Sequence, residues 1–181
     1  MLRIRLVDDD SLTADQRAVC DAAKAGKRGA VPLPLRAWLH SPEFASRAQR
    51  LGEYVRYDTT LAPRLSELAI LIVARHWTAQ HEWSAHKREA LRAGVAEQSI
   101  AAIANRERPT AAPADELLVH DFAYELITLH SVSDELYAQA AALLGERGVV
   151  ELLGILGYYT LVAMTLNALQ IESGDRKLLA D

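Results

Sequence analysis

Residues 64–104 read RLSELAILIVARHWTAQHEWSAHKREALRAGVAEQSIAAIA, and the fold is decided by how their apolar positions are spaced. Leu65, Leu68, Ala69, Ile72 and Val73 recur at three- and four-residue intervals, as do Ile100 and Ile103. That is the period of helices burying one face, not the alternation of a strand. Pro63 opens the first helix, because its fixed φ suits a first turn, with Glu67 on that turn and an end near Trp77. Thr78 is expected to cap a second helix running to Arg92, with Gly94 as its stop. Val95 to Asn105 is expected to form a short amphipathic third helix.

Working outward, Thr13 and Gln16 form a capping box for a helix over 14–25, which Gly26 and Gly29 end. Val31 to Leu35, with Pro32 and Pro34, reads as a stiff connector. Ser41-Pro42-Glu43 starts a helix with Phe44, Ala48, Leu51 and Val55 on one face. Beyond a polar loop, Arg106 to Pro113, three more helices are expected over 114–130, 133–144 and 149–171. Ala and Leu dominate and β-branched runs are short, so the chain is expected to be all-α, one domain over 1–181.

Apolar residues make up 50% and charged residues 24%, a balance that supports a folded core. A net charge of -4 gives no basic footprint, so no nucleic-acid partner is expected. Cys20 is the only cysteine, so no intramolecular disulfide forms, and a cytoplasmic setting is expected. MLRIRLVDDDS reaches three aspartates before any signal-like apolar run develops. Residues 152–169 carry no charge and touch the lower length of a membrane span, about 18 residues. With Tyr158, Tyr159, Thr160, Thr165 and Asn167 inside it, the segment is expected to be a buried central or interface helix, with no membrane partner.

Three residues can carry chemistry: Glu67 in a very apolar helix, then Glu82 and His86. Positions 82 and 86 are one helical turn apart, so a carboxylate there can orient an imidazole, with the Trp83 indole beside them. The same spacing occurs in exposed pairs worth roughly 0.3–0.5 kcal/mol, so by itself it is a weak signal.

The glutamate at 67, the Glu82-Trp83-x-x-His86 run and the Ala90-Leu91-x-x-Gly94-Val95 ending resemble the central signature of the carboxymuconolactone decarboxylase and alkylhydroperoxidase D family. VELLGILGYYTLVAMTLNAL resembles the C-terminal helix of longer members, which leaves residues 1–40 as an N-terminal extension. The resemblance implies an AhpD-like orthogonal helical domain. In the peroxidase branch a Cys-x-x-Cys pair precedes the His; here those positions are Ala79 and Glu82, which disfavours a thiol peroxidase. The decarboxylase branch is similar in placing a Glu four residues before this His.

That match implies a cofactor-independent carboxy-lyase for a small carboxylated lactone or aromatic-derived ring acid. His86 would donate the proton, Glu82 would hold and tune it, and Glu67 would complete the catalytic set. Trp83, Tyr158 and Arg75 are expected to bind substrate, with Lys87 or Arg88 as other choices for its carboxylate. No metal is expected, because Glu67, Glu82 and His86, even with His81 or His120, complete no known ligand spacing. The resemblance also implies a homo-oligomer (trimer, hexamer or dimer), and Gly154 and Gly157 on the apolar last helix would suit close packing between copies. The alternative is a noncatalytic oligomeric binding or stress-associated protein on the same scaffold.

Overall fold

The computed structural model describes residues 2–171 and 178–180. Its eight helices are α1 (Ala14–Ala25), α2 (Leu33–Trp38), α3 (Pro42–Tyr57), α4 (Pro63–His76), α5 (Gln80–Ala93), α6 (Glu97–Ala104), α7 (Ala114–Leu129) and α8 (Asp134–Leu169). A short 3-10 turn, Asp9–Ser11, precedes them, and no strand occurs among the described residues. The all-α expectation holds.

Helix α4 is the axis of the molecule. Every residue from Leu65 to Arg75 is buried, because α5, α6, α7 and α8 pack around it on different sides. An apolar helix with no solvent face is the expected occupant of such a centre. Three polar side chains, Ser66, Glu67 and Arg75, are carried inside with it. Glu67 lies one residue beyond the expected first turn, within the buried run that begins at Leu65.

The junction between α4 and α5 differs from its sequence reading. Thr78 is not the cap: it has a left-handed φ of 48°, and Ala79 takes the N-cap position. The Thr78 hydroxyl instead accepts from Arg75 Nη1 at 3.0 Å and from Arg106 Nη2 at 3.3 Å. Two guanidinium groups have claimed the oxygen a cap would need. The other end of α5 is as expected: Gly94 adopts φ 97°, and the Val95 N–H closes onto the Ala90 carbonyl at 2.9 Å.

The predicted connector at 31–35 is also corrected. From Leu33 the chain is helical, with Pro34 in the first turn; proline lacks a donor that this turn does not need. Trp38 at the end of α2 is buried, and its Nε1–H donates to Thr165 Oγ1 of α8 at 2.9 Å. The N-terminal extension is thereby part of the core, with Val19, Cys20, Ala23, Leu35 and Leu39 inside it.

Gly145, at φ 70° and ψ 167°, breaks α8 into the two helical segments the sequence indicated. As a whole, α8 is long and apolar enough to cross a membrane by length and composition alone, but 56% of its most apolar stretch is buried within the chain. After Gly145 the helix lies in the core. Leu152, Ile155, Tyr159 and Leu166 are among the residues it places in the core. Glu151 pins this segment to the loop before α4. It accepts from the Thr60 N–H and hydroxyl, both at 2.6 Å, from Tyr54 at 2.6 Å, and from Arg147 Nε at 2.9 Å. Burial raises the affinity of Glu151 for its proton, but these donors outweigh it and bring the pKa down to about 2.

Candidate active site

The inward face of α5 and the middle of α4 bring His86 and Glu67 together. Nδ1 of His86 is 2.7 Å from Oε2 of Glu67, and both side chains are buried. With the carboxylate accepting, the Nδ1–H donates, and Nε2 is the ring nitrogen left to exchange a proton. The Tyr159 ring of α8 stands edge-on to the imidazole, with centroids 4.9 Å apart at 84°. Three helices therefore fix the ring.

The sequence reading assigned the orienting carboxylate to Glu82, and the structure corrects this. Glu82 is 2% exposed, and neither carboxyl oxygen has a hydrogen-bond partner. Neighbouring positions on a helix permit a bond but do not require one, and the imidazole reaches across to α4 instead. Burial without compensating donors pushes the Glu82 carboxyl well above the usual carboxylate range, which favours its protonated form. An unsatisfied buried carboxyl costs on the order of 1–3 kcal/mol or more. Such a cost is common where a group serves chemistry rather than stability.

Tyr158 and Tyr159 of α8 stand behind the imidazole. Their rings meet at 5.4 Å, edge to face, and Tyr158 also packs edge-on against Trp38 at 6.2 Å. Burial raises both phenols, that of Tyr159 strongly, while Arg28 and Arg56 pull the other way. A charge on Glu82 would raise both phenols further. Trp83, expected to contact substrate, is 2% exposed and belongs to the hydrophobic core.

Arg75 is not brought to this cluster. Its Nε donates to the Ala104 carbonyl at 2.7 Å and its Nη1 to Thr78, so it fastens α4 to the end of α6. It lines a separate cavity of about 250 Å³ with Ile72, Ile103, Arg106, His120 and Tyr124. Arg88 is exposed and Lys87 half-buried on the outer part of α5. His120 pairs with Asp121 at 3.0 Å and stacks on Tyr124. Among the described residues no group of three or more His, Cys, Asp or Glu side chains is arranged to hold a metal ion.

Sequence reasoning missed Arg28. A cation between two glycines looks solvated, and only the packing of its turn against α3 reveals that its Nε and Nη2 are enclosed. It also gave Gly52 no role, although a Cβ there would sit 2.1 Å from the Tyr158 hydroxyl and 2.8 Å from Arg28 Nη2.

Residues 42–118, from α3 to the start of α7 and including Glu67, Glu82 and His86, match the model of the carboxymuconolactone decarboxylase family. Over these residues the chain is similar to that family. Among solved structures, the chain is similar to an uncharacterized peroxidase-related protein from Silicibacter sp. TM1040, with a TM-score of 0.78 and 13% identity over 98% of this chain and 95% of that one. That likeness is one of fold, and it includes the N-terminal extension. No curated protein matches the chain in sequence. Arg28, Tyr158 and Tyr159 lie outside the carboxymuconolactone decarboxylase segment.

Proposed function

We propose that the chain is a cofactor-independent carboxy-lyase acting on a small carboxylated lactone or ring acid. The observation that carries this reading is the His86–Glu67 pair beside a buried, unpartnered Glu82. In the reaction the bond from the ring carbon to its carboxylate breaks, CO2 leaves, and the electron pair passes into the adjoining carbonyl as an enolate. His86 Nε2–H then protonates the carbon, while Glu67 steadies the imidazole through Nδ1. Neutral Glu82 is suited to donate a hydrogen bond to the enolate oxygen as its charge develops, where an ionised carboxylate would repel it. The balance needs one proton for each CO2 released and no oxidant.

The family segment also supports thiol peroxidase chemistry in principle, but this chain is poorly equipped for it. Ala79 and Glu82 occupy the thiol positions. Cys20 is fully buried on α1, and burial raises its thiol away from the reactive thiolate. The second reading is a noncatalytic binder, favoured by how little of the site reaches solvent, with His86 only 5% exposed.

The test is turnover of lactone acids by the wild type, followed as CO2 release, against His86→Ala. Loss of turnover with helicity unchanged supports the lyase; equal rates remove His86 from the chemistry. Ligand binding without conversion favours the binder. Hydroperoxide consumption that survives Cys20→Ser would instead call for a thiol-free peroxidase route.

We also propose that the chain assembles with copies of itself. Leu51 and Val150 are 49% and 66% exposed, and with Tyr54 and Gly154 they line one apolar groove between α3 and α8. Gly154 meets Val55 of the same chain at 3.5 Å, whereas Gly157 has open space before it. Of the two glycines, only Gly157 is free to receive a neighbour.

A further inference from the structure

We propose that Arg28, supplied by the N-terminal extension, is the anchor for the ligand's carboxylate. This assignment rests on the site taking a small acid, as the lyase reading requires. It replaces Arg75, whose guanidinium is occupied elsewhere.

The turn that presents Arg28 is firmly held. Glu53 of α3 accepts the Lys27 N–H at 3.0 Å, and its carboxylate lies where a Cβ on Gly26 would be, 2.5 Å away. Lys27 Nζ pairs with Asp58 at the end of α3. The Gly29 N–H returns to the Gly26 carbonyl at 3.1 Å, with Gly29 at φ 66°. Ordinary surface lysines and arginines are not fixed by their neighbours' backbones in this way.

What the turn delivers is a cation with donors to spare. Nε and Nη2 of Arg28 are enclosed without a well-formed hydrogen bond, and the Tyr158 hydroxyl is the polar group the guanidinium acts on. Nη2 lies over Gly52 beside the Tyr158 hydroxyl, a close approach that only glycine at 52 permits. Glu82, one helical turn before His86 on α5, has two oxygens that also lack partners. Enclosed guanidinium nitrogens on a half-buried arginine and a buried carboxyl without partners are both costly. A ligand with a carboxylate at one end and a carbonyl near the other relieves both costs: the guanidinium fork takes the carboxylate in two parallel bonds, and neutral Glu82 donates to the carbonyl. The anchored carboxylate is one the reaction retains, because gripping the departing one would stabilise the ground state more than the transition state.

The experiment is calorimetric titration of the full chain with γ-butyrolactone-γ-carboxylate, and with its methyl ester as the uncharged control. The wild type is expected to bind the acid and not the ester. Arg28→Gln should weaken acid binding about tenfold or more, whereas Arg56→Gln, which removes the other nearby cation, should change it little. Arg28→Lys keeps the charge without the fork; it should recover only part of the affinity, and it serves if Arg28→Gln does not fold. Equal binding of acid by wild type and Arg28→Gln, equal binding of acid and ester, or no binding of the acid by the wild type overturns the assignment. The lyase reading fails separately: Arg28-dependent binding with no CO2 released from any lactone acid leaves the anchor standing and the lyase refuted.

Discussion

His86 Nδ1 and Glu67 Oε2, 2.7 Å apart and 19 residues apart in the chain, are the tie between the two central helices. An interior imidazole held by an interior carboxylate is both a packing element and a proton carrier, and mutations separate the two roles.

Replacing His86 with Ala should lower turnover by about 10²–10⁴-fold, the usual contribution of a positioned acid or base. Glu67→Gln keeps an acceptor for Nδ1–H and should lose less. Both variants should keep their far-UV circular dichroism, while His86→Ala should lose about 1–3 kcal/mol in urea unfolding because Glu67 is left buried and unpaired. Turnover unaffected by His86→Ala would contradict the assignment.

Glu82 makes a signed prediction about pH. Its folded pKa is raised above the unfolded value of 4.5, so its protonated form favours the native state. That contribution is complete below the unfolded pKa and declines as pH rises toward the folded one. Glu82→Gln removes the dependence. Its stability relative to wild type should rise above pH about 4.5 with a slope approaching 1.4 kcal/mol per pH unit. Parallel curves for the two proteins from pH 4 to 7 would show that Glu82 ionises freely.

Gly52→Ala should cost about 1–3 kcal/mol, as overpacking does, because its methyl would occupy space held by the Tyr158 hydroxyl and Arg28 Nη2. Thermal unfolding checks the cost. Restoring stability with Tyr158→Phe in the same background would identify the hydroxyl as the clash.

Glu151→Ala strips the partner from Thr60, Tyr54 and Arg147 and should destabilise by about 1–3 kcal/mol near neutrality. Because the Glu151 pKa is depressed to about 2, its contribution is present above the unfolded pKa and fades as pH falls toward 2. The gap between variant and wild type in urea titrations should therefore narrow in acid.

Val150→Asp places a charge on the apolar α3–α8 groove. If copies of the chain meet there, the variant should elute later than wild type in size-exclusion chromatography with its helicity intact. An unchanged elution volume would clear this groove of a role in assembly.

The helices were legible because burial leaves a period, and α4 most of all because its length is apolar on every side. His86 and Glu67 were legible as chemistry-bearing residues in an apolar context. Which carboxylate binds the imidazole was not, because sequence spacing describes neighbours along one helix and the bond crosses between two. Arg28 was hidden for a related reason: nothing local distinguishes a guanidinium on a solvated turn from one folded under α3. The helix at Leu33–Trp38 was missed because two prolines read as rigidity, although one of them stood where a first turn accepts it.

Tyr158, Tyr159 and Trp38 are supplied by segments outside residues 42–118. A fragment trimmed to the family match would strip the roof from its own acids and leave the imidazole wet. The smallest piece worth expressing is therefore close to the entire polypeptide, and any activity it shows also reports that its two ends have closed over the middle.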